Sequence, residues 1–343
     1  MIHRAQAPFT ALLLIGVCHA AGASPAEPPA PWAYGFKDPM PPNAVPATAA
    51  RLTDAAAIKL PDFPLLSLPG TERRFTPAEI RDNFAPADWY PGDHPRMPAI
   101  VAHGKPPVVW ACARCHYPNG QGRPENAPIA GLPADYFIEQ MQAFRQGDRR
   151  SSDVRKANTP LMVSFAEAMT DEEIRAAAEY FASIKFTPWI RVVETDRVPA
   201  TVISAGMFLQ AEPRADEPID GRIIEVPEEP GTVEVQRNPR IGFIAWVPVG
   251  SVKRGELLVT TGGGKTVVCF ACHGPELRGM TLSEVGAMPG LAGRSPSYLF
   301  RQLFDIRTGR RQGKRVELMK PVVANLSSDD LRDIAAYLAS RTP

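Results

Sequence analysis

Only five cysteines and six histidines occur in 343 residues. An odd number of cysteines cannot all pair, so a complete disulfide framework is excluded. A charge excess is also missing, since 38 basic side chains face 37 acidic ones. That balance removes the global basic footprint expected of a nucleic-acid binder. Nowhere is there the run of about 20 apolar residues that a transmembrane helix needs. Disorder throughout is excluded as well, because 44% of the residues are hydrophobic and only 22% charged. What the chain has in excess is proline, with 37 residues, about twice the usual ~5% share, so long stretches must be irregular. The length predicts two domains.

The N-terminus resolves the odd cysteine. His3 and Arg4 precede the apolar run Ala11-Leu12-Leu13-Leu14-Ile15-Gly16-Val17-Cys18, and Ala21-Gly22-Ala23 follows as an A-x-A cleavage site. Residues 1–23 therefore read as a secretory signal peptide. Val17 is a poor residue to precede a lipid-anchored cysteine, which argues against an anchor at Cys18. The mature chain is expected to be periplasmic, with no transmembrane span and four cysteines.

Those four form Cys112-Ala113-Arg114-Cys115-His116 and Cys269-Phe270-Ala271-Cys272-His273. C-x-x-C-H is the attachment signature of c-type haem. Two thiols three positions apart on one helical turn can form thioethers to the two vinyl groups of a porphyrin. The adjacent imidazole, His116 or His273, then reaches the iron. A thioredoxin-like pair needs no following histidine and expects a βαβ context. A zinc site would have to join motifs 157 residues apart. Two covalently bound haem c groups are the expected cofactors, and nucleic acid is not an expected partner.

The chain repeats. Cys112 and Cys269 are 157 residues apart, and so are Met162 and Met319, Tyr180 and Tyr337, and Trp89 and Trp246. In between, Tyr136, Gln140, Arg145 and Gly147 correspond to Tyr298, Gln302, Arg307 and Gly309 at an offset of 162. Two related units, about 88–186 and 245–343, follow. Each ends in a helix whose N-cap, Thr170 or Ser327, is followed three residues on by Glu173 or Asp330. Middle helices are predicted over 134–145 and 297–307. A first helix is predicted over 252–260, but its equivalent is interrupted by Pro95 and Pro98. Met162 and Met319 each lie 46 residues after their motif histidine, which singles them out from methionines used as core filler. His94 and His103 precede the first motif and are rival ligands without counterparts in the repeat.

These residues resemble class I cytochrome c domains, and the tandem pair resembles dihaem proteins of the cytochrome c4 type, over about 200 of the 343 residues. The resemblance implies a mainly α fold of two tandem class I cytochrome c domains, 88–186 and 245–343. It also implies that Met162 and Met319 supply the distal thioethers. By the same resemblance, Pro128 and Pro289 in the loops after the motifs offer the carbonyls that orient His116 and His273. Outside it lie a proline-rich irregular leader, 24–87, and a connector, 187–244, with short β-strands. In the connector, 221–226, 232–235 and 241–247 read as strands and 227–231 as a turn. In the leader, Thr76-Pro77-Ala78-Glu79-Ile80 reads as one short helix.

The second unit is basic, with twelve cationic against seven anionic side chains over 257–343, concentrated between Arg307 and Arg315. This run is either a steering face for an acidic partner or a set of arginines paired within the fold. The expected function is electron transfer. The donor would be a periplasmic dehydrogenase, of which this chain could be a subunit, and the acceptor an oxidase or another cytochrome. The alternative is a dihaem enzyme, of peroxidase or thiosulfate-oxidising type, with one open or displaceable iron position.

Overall fold

The computed structural model describes residues 27–49, 64–211, 213 and 215–343. The signal sequence, with Cys18, lies outside them.

The first unit is built from helices Ala99–Ala102, Cys112–His116, Ala134–Gln146, Asn158–Ala168 and Asp171–Ser183. The second repeats the set with Ser251–Thr261, Phe270–His273, Pro296–Arg307, Lys314–Val323 and Ser328–Ala339. The terminal helices start where the sequence predicts. Thr170 Oγ1 accepts from Glu173 N at 3.2 Å, and Thr170 N donates to Glu173 at 2.8 Å. Ser327 and Asp330 repeat that reciprocal box. Both caps satisfy backbone N–H groups that the first helical turn leaves unpaired.

Proline sets the difference between the two first helices. Pro98 is the N-cap of a four-residue helix, whereas Ser251–Thr261 runs eleven residues. The longer helix crosses the terminal helix at Gly255, where a Cβ would lie 1.9 Å from the Asp333 carbonyl oxygen. Only glycine allows that approach. The sequence did not reveal the helices Asn158–Ala168 and Lys314–Val323, which carry Met162 and Met319. Each has a proline, Pro160 in the first turn of one and Pro321 inside the other, which obscures the helical pattern.

The connector is a β excursion, with one correction. Its three-stranded sheet has Phe243–Val247 at the centre, parallel to Ile190–Glu194 and antiparallel to Ile224–Pro227. Residues expected as the strand 232–235 fall instead mostly in a short helix, Pro230–Glu234. Pro230 at its first turn favours that helix start. Two antiparallel pairs, Thr201–Ser204 with Met207–Gln210 and Arg197–Pro199 with Asp216–Pro218, complete the excursion.

Leader and connector pack on the helical units rather than hanging free. Pro31–Tyr34 forms a helix whose Trp32 and Tyr34 join the second core beside Phe300 and Phe304. Tyr34 also donates to Asp305 at 2.7 Å. The expected leader helix is present as Pro77–Ile80, with a Thr76/Glu79 capping box. Trp89 and Trp246 share the repeat offset but not a place. Trp89 lies in a small cluster with Leu68, Ile80 and Tyr90, whereas Trp246 sits on the connector sheet.

Glu225, on strand Ile224–Pro227, is 1% exposed and accepts hydrogen bonds from Ser295 and Ser297. Burial pushes its carboxyl from the ordinary 4.5 up to about 7 against those bonds. The proton is therefore held more tightly in the fold than in the unfolded chain. Its stabilisation is complete below 4.5 and is lost as pH rises through about 7. The loss across this window is expected to be about 3 kcal/mol. Chemical denaturation at pH 4.5 and 8 should show a smaller difference in Glu225→Gln than in the unmodified protein.

Candidate functional site

Each CxxCH motif is a single helical turn leading into a cavity. The first cavity, with about 1360 Å³ of empty space including its mouth, is lined by Cys112, Cys115, His116 and Met162. The second, of about 840 Å³, is lined by His273, Pro289 and Met319. Cys269 packs against the second core, and Cys272 is exposed. Each cavity thus has a motif histidine and the methionine 46 residues beyond it in its wall. His94 bonds to Asp88 and to the Pro95 carbonyl, and His103 to the Phe84 carbonyl. Neither histidine lines the first cavity.

Both imidazoles are prepared as neutral ligands. His273 Nδ1 donates to the Pro289 carbonyl at 2.8 Å, and His116 Nδ1 donates to the Ala127 carbonyl at 2.8 Å. Burial lowers both histidine pKa values, which favours the uncharged ring that binds metal. A carbonyl on Nδ1 fixes the tautomer and leaves Nε2 free. His273 Nε2 is buried without a hydrogen-bond partner, an orphan that an iron atom would satisfy. The residues present therefore fit a covalently held haem.

Ala127, not Pro128, takes the orienting position in the first unit. The loop after the first motif is five residues shorter, so the offset there is 162, and Ala127 plus 162 is Pro289. Matching the prolines by type missed this register. Pro128 lines the second cavity, and its carbonyl accepts from Arg294 Nη1 at 2.6 Å.

The thiols separate two rival chemistries. Burial pushes Cys112 up to about 12 and Cys269 up to about 11. A thioredoxin-like pair needs a thiol lowered toward neutrality, the opposite of the direction at Cys112 and Cys269. Among the described residues, no group of three or more His, Cys, Asp or Glu side chains is placed to hold a metal ion.

Residues that the sequence did not mark as functional lie between the cavities. Tyr136, Gln140, Tyr298 and Gln302 line both. Arg149 of the first unit donates to Tyr298 at 3.3 Å and to Gln302 at 2.9 Å. Arg311 of the second donates to Tyr136 at 2.7 Å and to Gln140 at 2.8 Å. Arg149 and Arg311 also form an antiparallel backbone bridge. The pairs Arg149/Arg311, Tyr136/Tyr298 and Gln140/Gln302 all share the 162 offset, so the interface is pseudo-symmetric. That offset was the available signal.

Arg149 lines the first cavity and Arg311 the second, and neither has a carboxylate partner among the described residues. Arg311 Nε is buried and unpartnered. A buried cation is costly without a counter-charge, and a haem brings two carboxylates. The basic run is also resolved. Arg307 pairs with Glu27, Arg315 with Asp135 and Glu139, and Arg311 is buried. Most of these arginines are used inside the fold, not as a steering face.

No helix among the described residues is long and apolar enough to cross a membrane. The family model for cytochrome c matches residues 101–185 and 252–342. Cytochrome c4 of Azotobacter vinelandii is 39% identical over 88 residues, covering 24% of this chain and 40% of that protein. The match thus spans well under half of that relative. A thiosulfate dehydrogenase electron acceptor of Stutzerimonas stutzeri is 28% identical over 239 residues, 69% of this chain and 82% of that protein. Among solved structures, reduced recombinant cytochrome c4 from Pseudomonas stutzeri covers 67% of this chain and 93% of its own, at 21% identity and a TM-score of 0.43. With two matched regions, two CxxCH cavities and a mainly α architecture, the chain belongs to the cytochrome c family as a tandem c4-like member carrying two covalent haem c groups.

Proposed function

We propose that this protein is an exported dihaem electron carrier that takes single electrons from a periplasmic dehydrogenase and delivers them to an oxidase or another cytochrome. Cys112, Cys115, Cys269 and Cys272 would supply the thioethers, His116 and His273 the proximal nitrogens, and Met162 and Met319 the distal sulfurs. The bound haems supply a ferrous/ferric couple. The chain's own part is to hold the two imidazoles neutral, exclude water and present a soft sulfur, which favours the reduced state. One observation carries the reading: the two cavities abut and share five lining residues, Leu132, Tyr136, Gln140, Tyr298 and Gln302. Such a shared wall suits passage of electrons between the centres. The name of the Stutzerimonas stutzeri relative supports a dehydrogenase acting on thiosulfate as the donor.

EPR and optical spectra of the ferric holoprotein test this. Two low-spin centres of His/Met type are expected, together with full reduction and reoxidation of both. A high-spin or His/His centre at the first site, or peroxide or thiosulfate turnover by the protein alone, would overturn it in favour of a dihaem enzyme.

A further inference from the structure

The two units differ most between the interface arginine and the methionine. Met162 follows Arg149 by thirteen positions, whereas Met319 follows Arg311 by only eight. The five extra residues of the first unit fall in the loop 150–157, which carries Lys156. Neither repeat offset supplies a second lysine, since the matching residue is Gly313 at 157 and Leu318 at 162.

This loop is tied down on several sides. Arg150 N donates to the Arg310 carbonyl at 2.8 Å, and Ser152 N donates to Asp305 at 2.9 Å. Arg155 pairs with Asp153 at 2.7 Å, and its cation stands 4.0 Å over the Phe36 ring of the leader. Lys156 is thereby fixed in the wall of the first cavity, 7% exposed. Its ammonium has no hydrogen-bond or ion-pair partner among the described residues, because the surrounding carboxylates are engaged elsewhere. Asp153 is held by Arg155, Asp305 by Tyr34 and the Ser152 amide, and Glu125 by Arg123. Burial, then the Arg301 cation, push the Lys156 ammonium from the ordinary 10.5 down to about 7, against the pull of Glu125, Asp305 and Asp153. A buried ammonium so placed is costly until a carboxylate reaches it.

Helix Pro296–Arg307 marks where that carboxylate belongs. Tyr298, Arg301, Gln302 and Asp305 are spaced along one helix face, and all four line the first cavity. Arg149 bonds to Tyr298 and Gln302 on this face, and Lys156 lies beside Arg301 and Asp305. Two cations without carboxylate partners thus converge at one end of the cavity. The second cavity is built differently. Its cationic side chains are the arginines Arg294, Arg311 and Arg315, and Arg315 already pairs with Asp135 and Glu139. At the offset of 162, Arg301 and Asp305 correspond to Glu139 and Ala143, neither of which lines it.

We infer that Lys156 and Arg149 receive the propionates of the first haem, and that Lys156 makes the potential of this haem, and not of the second, depend on pH. A cation at that place opposes the extra positive charge of ferric iron and so raises the potential. Reduction adds one electron to the haem, and where Lys156 is neutral it takes up one proton from solvent. A propionate beside the amine raises its pKa again, so the potential falls as pH climbs above about 7. Arginine stays charged through that range, which leaves the second haem without the step. Only the two covalent haems are required, so the inference stands apart from the choice of donor and acceptor.

Spectroelectrochemistry of the full holoprotein between about pH 6 and 9 tests this, with the second haem identified through Met319→Ala. At neutral pH, Lys156→Met should shift the first haem about tenfold toward ferric, which is about 59 mV for one electron. The second haem should move less than about twofold. Lys156→Arg should keep the neutral potential of the first haem and abolish its fall at higher pH, because the guanidinium does not titrate there. A shift of both haems alike, no shift of either, or a flat first-haem profile in the unmodified protein overturns the inference. So does a pH step that persists in Lys156→Arg, which would move the titration to Asp305 or to a propionate. Should Lys156→Met not fold, the pH profiles of the unmodified protein and of Lys156→Arg decide.

Discussion

Met319→Ala is expected to convert the second haem from low to high spin in the ferric protein and to lower its potential by about 0.2 V. Axial ligands tune haem potentials over about 0.8 V, and exchanging a soft thioether for water uses a sizeable part of that range. Met319 lies on helix Lys314–Val323, half-buried against Ile306, Val316 and Val323, so truncation also opens room for water. The first haem should be unchanged in spin state. Spectroelectrochemistry with EPR checks both statements. The experiment also discriminates among methionines, because Met288 lines the same cavity, 3% exposed. A spectrum altered by Met288→Ala but not by Met319→Ala would transfer the ligand role. The same comparison applies to the first cavity, where Met141 and Met169 stand beside Met162.

Arg294→Met is expected to separate the unfolding of the two units. Arg294 is 4% exposed and donates across the interface to the carbonyls of Pro128 and Ala130, at 2.6 and 3.3 Å, and within its own unit to Gly290 at 2.6 Å. Its guanidinium also stands over the Phe186 ring at 4.5 Å. Burial lowers its pKa to about 10, which still leaves it charged at neutral pH. A methionine of similar length strands buried carbonyls, each orphan costing about 1–3 kcal/mol. A loss of about 3 kcal/mol is expected, read as a second transition in guanidinium unfolding followed by circular dichroism. Arg294→Lys should recover only part of the loss, since an ammonium lacks the planar fork that reaches several carbonyls at once. A single transition with unchanged midpoint in Arg294→Met would show that the interface does not depend on this residue.

How much of the site could be read in advance depended on how local its chemistry is. The motif turns and the acidic terminal caps are governed by neighbours within one or two helical turns, so they were legible, and the repeat offset placed Met162 and Met319 in equivalent positions. Pro289 was legible because its loop is proline-marked and in register. Ala127 was not, because an alanine offers only its backbone carbonyl to His116, and any residue could do that. Arg149 and Arg311 shared the 162 offset, but their roles were hidden for a different reason. Their roles arise from residues about 150 to 175 positions away, such as Gln302 and Tyr136, which local patterning cannot connect. The strand expected at 232–235 fell instead largely in a helix, where Pro230 outweighed the β-branched residues that follow it.

By itself the sequence determined that two haems are attached, where each attachment lies, and that the chain is a tandem repeat. Those features follow from covalent spacing and short-range helix physics, which do not change with the rest of the fold. Only the tertiary structure decided that the two sites share a wall, that arginines without carboxylate partners among the described residues line both cavities, and that the leader and connector close over one motif turn. These depend on which surfaces bury their apolar and polar groups against one another. Near-equal charges and a surplus of proline allow many such arrangements, and packing selects one.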